Sequence, residues 1–365
     1  MSGRGSTVVG VTEPLIDSGA SAVDTSRPLS ARIPAVALPP LGDGDGIALT
    51  WREARVDDAE AIAELFAAMA ERDHPEWSET AEEIRGEFEH SYVDPARDGV
   101  VGFDADGRMV AHALCIRTPE PVDYARVILG GGVHPAVRGR AIGRQLLAWQ
   151  QARAEQLLAE LDLTMPGWVM AYAADVSPEH GRLLQHAKFE AVRYFTTLHA
   201  ELAEAPIDDR PFPAGVRVEP WSAEHSEAAR AAKNAAFADH WGSQPSSAES
   251  WAAWQKLATF RPELSRLAFD GDEVVGFVTT DVNEEDWQRL GRSSGYIGLV
   301  GTVREWRGQG LASALLAEVM RAHRDAGFEL SVLDVDAANP TGALGVYERL
   351  GFRSVSRDVA YRRLY

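Results

Sequence analysis

The sequence predicts an α/β fold built twice: two tandem units, each a mixed sheet covered by helices. Three observations lead there. A chain of 365 residues with 45% hydrophobic content is long enough to bury two cores. One order of elements, β-α-α-β-β-β-α-β-α-β, reads through the chain twice with starts ~170 residues apart, and an internal duplication is the economical explanation. The third is a strand that runs into a glycine turn and then a helix, at the same place in both copies.

Residues 1–46 are rich in Gly, Ser, Ala and Pro and show no sustained period, so a disordered tail is expected. The first unit, 47–205, opens with a strand over 47–52. A helix then begins at Asp57 or Asp58, where acids suit the dipole, and carries Ile62, Leu65, Phe66 and Met69 on its apolar face. A second helix over about 78–90 precedes strands at 99–104 and 109–117, joined by an Asp-Ala-Asp-Gly turn. The strand 127–133 leads through Arg138-Gly139-Arg140-Ala141-Ile142-Gly143 into a helix with Leu146, Leu147 and Gln150. A strand at 168–172, a short helix at 181–187 and a closing strand at 191–200 complete the unit.

Residues 206–215 place three prolines in a polar stretch, which resists packing and reads as a linker. The second unit, 216–365, then repeats the order: a strand at 216–220, helices near 222–237 and 248–256, and strands near 264–270 and 273–281. Its central element runs from the β-rich stretch beginning at Tyr296, through Arg307-Gly308-Gln309-Gly310-Leu311-Ala312, into a helix striped with Leu311, Leu315, Leu316, Val319 and Met320. A strand at 329–336, a helix at 341–350 and a last strand at 353–363 follow.

A net charge of −19 argues against nucleic acid, whose backbone must be met by clustered Lys and Arg. It is compatible with an amine-bearing partner. No apolar run is long enough for a membrane span and the N-terminus lacks a signal-peptide pattern, so no membrane association is expected and a cytoplasmic location follows by default. Cys115, the single cysteine, lies in an apolar run, can form no internal disulfide and reads as a buried strand residue. No metal is expected.

The central turn has the outline of an anion site. Two glycines let backbone approach a ligand closely, and the first N–H groups of the helix point at it unpaired. A phosphate group suits both the helix dipole and the oriented amides. A nicotinamide site of Rossmann type is excluded: Ser313 stands where a third glycine is needed and too few strands follow. The chain has no Gly-Lys-Ser/Thr for a P-loop.

Arg307-Gly308-Gln309-Gly310-Leu311-Ala312 after a strand resembles the acyl-CoA signature of the GNAT superfamily of N-acyltransferases. Asn339, Tyr347 and the Gly351-Phe352 pair that ends the next helix resemble the second marker of that superfamily. The resemblance covers nearly all of residues 47–365, and it implies acetyl-CoA as cosubstrate. Val300, Gly301 and Thr302 would supply backbone contacts to the pantetheine arm, and Gly308, Gln309, Gly310, Leu311, Ala312 and Ser313 would hold the pyrophosphate beside Arg307 and Asn339. Tyr347 stands where such proteins place a proton donor, and a phenol with its usual pKa of ~10 is protonated at neutral pH.

The base is left open. Asp334 matches an acidic position used by some members, Glu284, Glu285 and Asp286 lie in a loop before the central strand, and Tyr296 occupies a place where relatives often carry Glu. His240 and Trp241 sit where the resemblance implies an acceptor pocket. In the first unit Ala141 replaces a motif glycine and Leu184 stands in place of Tyr347, so that unit is expected not to catalyse. The reading is an N-acetyltransferase, monomer or homodimer, acting on a small-molecule amine from the second unit. A peptide amine as acceptor, or a non-catalytic acyl-CoA-binding module, stands as the alternative.

Overall fold

In the computed structural model, which describes residues 23–73, 78–207, 210–336 and 343–365, the element order read from the sequence recurs in both halves. The first half carries α1 (Leu29–Arg32), β1 (Thr50–Glu53), α2 (Ala59–Asp73), α3 (Ala81–Phe88), α4 (Pro95–Asp98), β2 (Gly99–Phe103), β3 (Met109–Arg117) and β4 (Ala125–Val133). These lead into α5 (Ile142–Ala159), β5 (Gly167–Ala174), α6 (Pro178–His186) and β6 (Glu190–Glu201). The second half carries β7 (Val216–Pro220), α7 (Ser226–Ala236), α8 (Ala248–Trp254), β8 (Arg266–Asp270), β9 (Glu273–Asp281), α9 (Glu284–Leu290) and β10 (Ser294–Thr302). It ends with α10 (Leu311–Asp325), β11 (Leu330–Asp336), α11 (Ala343–Arg349) and β12 (Arg353–Leu364).

All twelve strands form one sheet in the order β1-β2-β3-β4-β5-β12-β6-β11-β10-β9-β8-β7. Each half therefore lends its closing strand to the other. β12, last of the second half, lies antiparallel against β5 of the first, with Tyr361 opposite Ala171, while β6 of the first half lies antiparallel against β11 of the second, with Thr197 opposite Asp334. The two lent strands also pair with each other, Asp358 opposite Phe195. The sequence boundary at 206–215 is thus not a boundary in space for β6 and β12.

Helices α5 and α10 pack on their own halves through the stripes read from the sequence. Ile142, Leu146 and Leu147 enter a core with Val127, Val169 and Leu184, and Leu311, Leu315, Val319 and Met320 enter another with Val278, Leu333 and Val335. The capping box of α3 is complete: Thr80 Oγ1 accepts from the Glu83 amide and Glu83 Oε2 accepts from the Thr80 amide at 2.8 Å.

Three expectations change. Residues 1–22 lie outside the described residues, but 23–46 are packed rather than disordered: Leu29 is fully buried and its amide donates to Leu163 O. Apolar residues spaced widely in a Pro-rich stretch leave no periodic signal, yet Leu29 and Ile33 both enter the first core and Leu41 packs against it. Described residues of the 206–215 segment also pack, Ile207 being buried and Phe212 lying against the second core. Glu284, Glu285 and Asp286 form the first turn of α9 instead of a loop, where their charge complements the helix dipole. Cys115 is buried, as expected, and its thiol pKa is pushed far up by burial.

Candidate active site

At the centre of the second half, β10 and β11 run parallel but pair only from Ser294–Leu330 to Tyr296–Val332. Beyond Tyr296 they part. Val300, Gly301 and Thr302 pair on their other edge with Val278, Phe277 and Gly276 of β9, which leaves the edge facing β11 open. A register shift between Ile297 and Val300 marks a bulge, where the Leu299 amide turns to Thr279 Oγ1 at 2.9 Å. Gly301 is required by packing, since a Cβ there would fall 2.1 Å from the Phe277 ring. Thr302 Oγ1 is buried with no partner among the described residues, an orphaned polar atom at the mouth of the turn.

In the turn itself Gly308 and Gly310 adopt φ of 74° and 84°, and a Cβ at either would meet open space. No side chain caps α10, so its leading amides are free for an anion. Leu311 turns its side chain into the core, Ser313 Oγ accepts from Arg210 at 2.9 Å, and Gln309 donates to Glu305 O at 3.0 Å. These residues thus offer the turn their backbone, and Ala312 stands half-buried among them. Uncapped amides, glycines with space above them and the orphaned Thr302 hydroxyl together fit the diphosphate and pantetheine of acetyl-CoA.

The Arg307 side chain is engaged within the protein. Its guanidinium forks onto Asp239, at 2.7 and 2.9 Å, and donates to Ala236 O at the end of α7. That pairing holds the Asp239 carboxyl down at about 2. Arg138 repeats the device in the first half, forking onto Asp73 at the end of α2. The motif arginine in this chain therefore ties the turn to the preceding helical layer.

A polar row crosses the splay. Tyr296 donates to Asp334 Oδ2 at 2.8 Å, and Thr197, from β6 of the other half, donates to Asp334 Oδ1 at 2.6 Å. Burial and the Asp334 charge push the Tyr296 phenol well above its usual pKa. Directly opposite Tyr296 on β9 stands Asp281, whose carboxylate lies over Gly298, 2.7 Å from where a Cβ would be. Burial pushes Asp281 up to about 7, against the opposing pull of a hydrogen bond from Trp254.

Tyr347, in α11, is 8% exposed, packs at 71° to Phe352 and belongs to the cluster that holds Leu311, Leu315 and Val335. Burial pushes its phenol up to about 12, so it is protonated at neutral pH. Asn339 lies outside the described residues. Of the other acids considered as base, Glu284 and Glu285 are exposed, whereas Asp286 is buried, pairs with Arg289 and accepts from the Ser78 amide of the first half. His240 and Trp241, expected at an acceptor pocket, both make ring contacts within the protein. Trp241 stacks on Trp168 of β5 at 5.7 Å with Arg193 5.0 Å above it, a contact between the halves, and His240 meets Phe237 of its own half at 5.5 Å.

A cavity of about 730 Å³ opens in the first half. It lies over the splay of the first half, at Gly130, Gly131 and Tyr172, and is walled by α3 on one side and by Ser250, Ala253 and Trp254 of α8 on the other. Sequence reasoning missed Asp281, Thr197 and Trp254. The turn of the first half keeps its shape despite its substitution: Ala141 takes φ of 62° and Gly139 takes 78°. Leu184, where the second half has Tyr347, is buried in the first core. Among the described residues no group of three or more His, Cys, Asp and Glu could hold a metal, and no helix is long and apolar enough to cross a membrane.

Residues 227–352 match the model of the acetyltransferase (GNAT) family. The mycothiol acetyltransferase of Thermobispora bispora is 33% identical over 232 residues, 63% of this chain and 74% of that protein. That of Streptomyces coelicolor is 28% identical over 326 residues, covering 86% of this chain and 94% of the relative. Among solved structures, a GCN5-related N-acetyltransferase from Sphaerobacter thermophilus superposes with a TM-score of 0.64 at 28% identity, over 87% of this chain and 95% of that one. A tandem GNAT protein from the clavulanic acid biosynthesis pathway gives 0.62 at 18% identity over 87% and 98%, a likeness of fold.

Proposed function

The chain belongs to the GNAT family of acetyltransferases as a tandem member, and from that premise we propose that it acetylates the amine of a small molecule at the splay of β10 and β11 in the second half. The carrying observation is that uncapped amides at Gly308–Leu311, an open strand edge at Val300–Thr302 and the Asp281–Tyr296–Asp334 row converge on one splay. GNAT acetyltransferases use acetyl-CoA, which supplies a thioester-activated acetyl group. The first half supports this assignment by default, because it has Leu184 in place of a phenol. The curated relatives carry the name of a small-molecule enzyme, which favours such an acceptor over a peptide amine.

In this reading the bond from amine nitrogen to acyl carbon forms as the carbon–sulfur bond breaks. Asp281 takes the proton that the nitrogen sheds, since a carboxyl titrating at about 7 is half ionised at neutral pH and matched to the task. Asp334, held by Tyr296 and Thr197, keeps the phenol of Tyr296 aimed along the splay. Tyr347 gives its proton to the departing thiolate.

Replacing Tyr347 by Phe tests the assignment. Thiol release from acetyl-CoA over a panel of amino sugars, amino acids, polyamines and peptides should fall ~100-fold or more in kcat. Acetyl-CoA affinity by calorimetry should change less than ~3-fold, because the turn is untouched. A variant that turns over at the wild-type rate removes Tyr347 from the chemistry, and a wild-type protein that releases no thiol with any amine class removes the proposal.

A further inference from the structure

The geometry points to Thr197 of the first half as a positioning residue for acetyl transfer in the second. Its hydroxyl fixes Asp334, which holds the hydrogen of the Tyr296 phenol and leaves the phenol oxygen to accept an N–H of the incoming amine. This rests on the acetyl-transfer reading above and adds what the first half does for the reaction.

Thr197 lies on β6, the strand that the first half lends. Its backbone is paired on both edges, opposite Asp334 of β11 and Ser356 of β12, and its side chain is buried. A β-branched side chain has few rotamers, so a threonine held in mid-sheet is a fixed point. Asp334 is exposed although β11 has a strand on either side, while Val332 and Asp336, which alternation puts on the same face, are buried. The sheet is therefore open to an acceptor at Asp334. An exposed carboxylate turns easily about its last torsion, and two hydrogen bonds prevent it: Thr197 donates to Oδ1 at 2.6 Å and Tyr296 to Oδ2 at 2.8 Å. One carboxylate is thus tied to both halves.

A carboxylate has no hydrogen to give, so both hydroxyls donate to it. The one phenol hydrogen of Tyr296 is committed to Asp334, and its oxygen can only accept. Asp281 faces the same tyrosine from β9. An amine at this place donates one hydrogen to the Tyr296 oxygen and gives another to Asp281, which leaves its lone pair to attack the acyl carbon. The hydrogen shared with Tyr296 stays on nitrogen into the amide, so the proton balance of the transfer is unchanged. Thr197 does not touch the substrate; it acts by keeping Asp334 where the phenol needs it.

Nothing in the repeated scaffold requires this arrangement. β5, which stands in the first half where β11 stands in the second, holds no acid between Gly167 and Ala174, and β4, the counterpart of β10, holds no tyrosine. The exchange is symmetrical in its strands, since β12 meets β5 as β6 meets β11. It is not symmetrical in its chemistry: β12 sets Arg362 opposite Met170, and Arg362 packs over the Trp168 ring at 4.5 Å. The hydroxyl, carboxylate and phenol in series belong to the half to which transfer is assigned.

Thr197→Val in the full chain keeps the shape of the side chain and removes its donor. Thiol release, with the panel amine that the wild-type chain uses fastest, should fall ~10-fold in kcat, the size expected for one hydrogen bond to a charged group. KM for acetyl-CoA should change less than ~3-fold, and Thr197→Ser, which restores the hydroxyl, should return to within ~3-fold of the wild-type kcat. Asp334→Ala should itself lower kcat ~10-fold, and in that background Thr197→Val should cost below ~2-fold, because the hydroxyl acts through the carboxylate. A loss of equal size in both backgrounds makes Thr197 a packing residue and overturns the inference, as does Thr197→Val at the wild-type rate. Should Thr197→Val not fold, Tyr296→Phe decides: joined to Asp334→Ala it should lose no more than ~2-fold beyond the larger single loss, and additive losses overturn the inference. A wild-type chain that releases no thiol with any amine removes the acetyl-transfer reading and this inference with it. Turnover that survives Thr197→Val removes the inference alone.

Discussion

A carboxyl group set over a glycine and beside a phenol, as Asp281 is, binds its proton more tightly in the folded chain than in the unfolded one. Its folded pKa of about 7 lies above an unfolded value of ~3.9, so any stability linked to it is present below pH ~4 and lost as pH rises through 7. Asp281→Asn should therefore raise unfolding free energy at pH 8 by about 2–3 kcal/mol, allowing for partial exposure, with the gain vanishing near pH 4. The same variant should lose ~100-fold or more in kcat/KM. Urea midpoints at the two pH values check the first outcome, and identical midpoints at pH 8 would mean that the carboxyl is not held up by burial. Tyr347 was legible in the sequence as a candidate proton donor, because Asn339, Tyr347 and Gly351-Phe352 resemble a family marker that follows the glycine motif. Asp281 was not, because its place over Gly298 lies beside the bulge in β10, and a bulge that Thr279 satisfies leaves no mark in the alternation of residues.

At the scale of one element, the strand-turn-helix shows what a motif fixes and what it leaves free. Gly139 and Gly308 share a left-handed backbone, and Ala141 and Gly310 share another, although alanine is strained there by ~1 kcal/mol. The first half has thus kept the loop while placing a methyl on it. Gly310→Ala transfers that change to the second half: the Cβ enters open space, so the fold survives with a loss of ~1 kcal/mol. The diphosphate is crowded, however, and KM for acetyl-CoA should rise ~10-fold in a thiol-release titration. An unchanged KM would mean that this turn does not receive the diphosphate. The arginine of the motif was read from the sequence as part of the cofactor turn, and the structure adds what its side chain does: Arg307 and Arg138 both fork onto an aspartate at the end of the preceding helical layer. Spacing along the chain locates such a residue but not its rotamer, and the acid it meets is ~70 residues away in sequence.

For the whole molecule, the exchange of closing strands decides how far the halves are independent. The duplication was visible because periodicity and order repeat; the exchange was invisible, since β6 and β12 both offer a long edge that could pair with β5 or with β11. Fragments 1–207 and 208–365 produced separately should each expose an unpaired edge and appear aggregated or largely unfolded by gel filtration and circular dichroism, and co-production should restore a single species. Two well-behaved monomeric fragments would mean that each closing strand can return to its own half. The order of synthesis gives the arrangement a further consequence. Because β12 leaves the ribosome after every other strand of the sheet, the amino-terminal half must wait, with a slot open beside β5, until translation of the opposite half is finished. Chaperone demand should therefore be highest late in elongation, and a premature stop before Arg353 would leave both halves incomplete together.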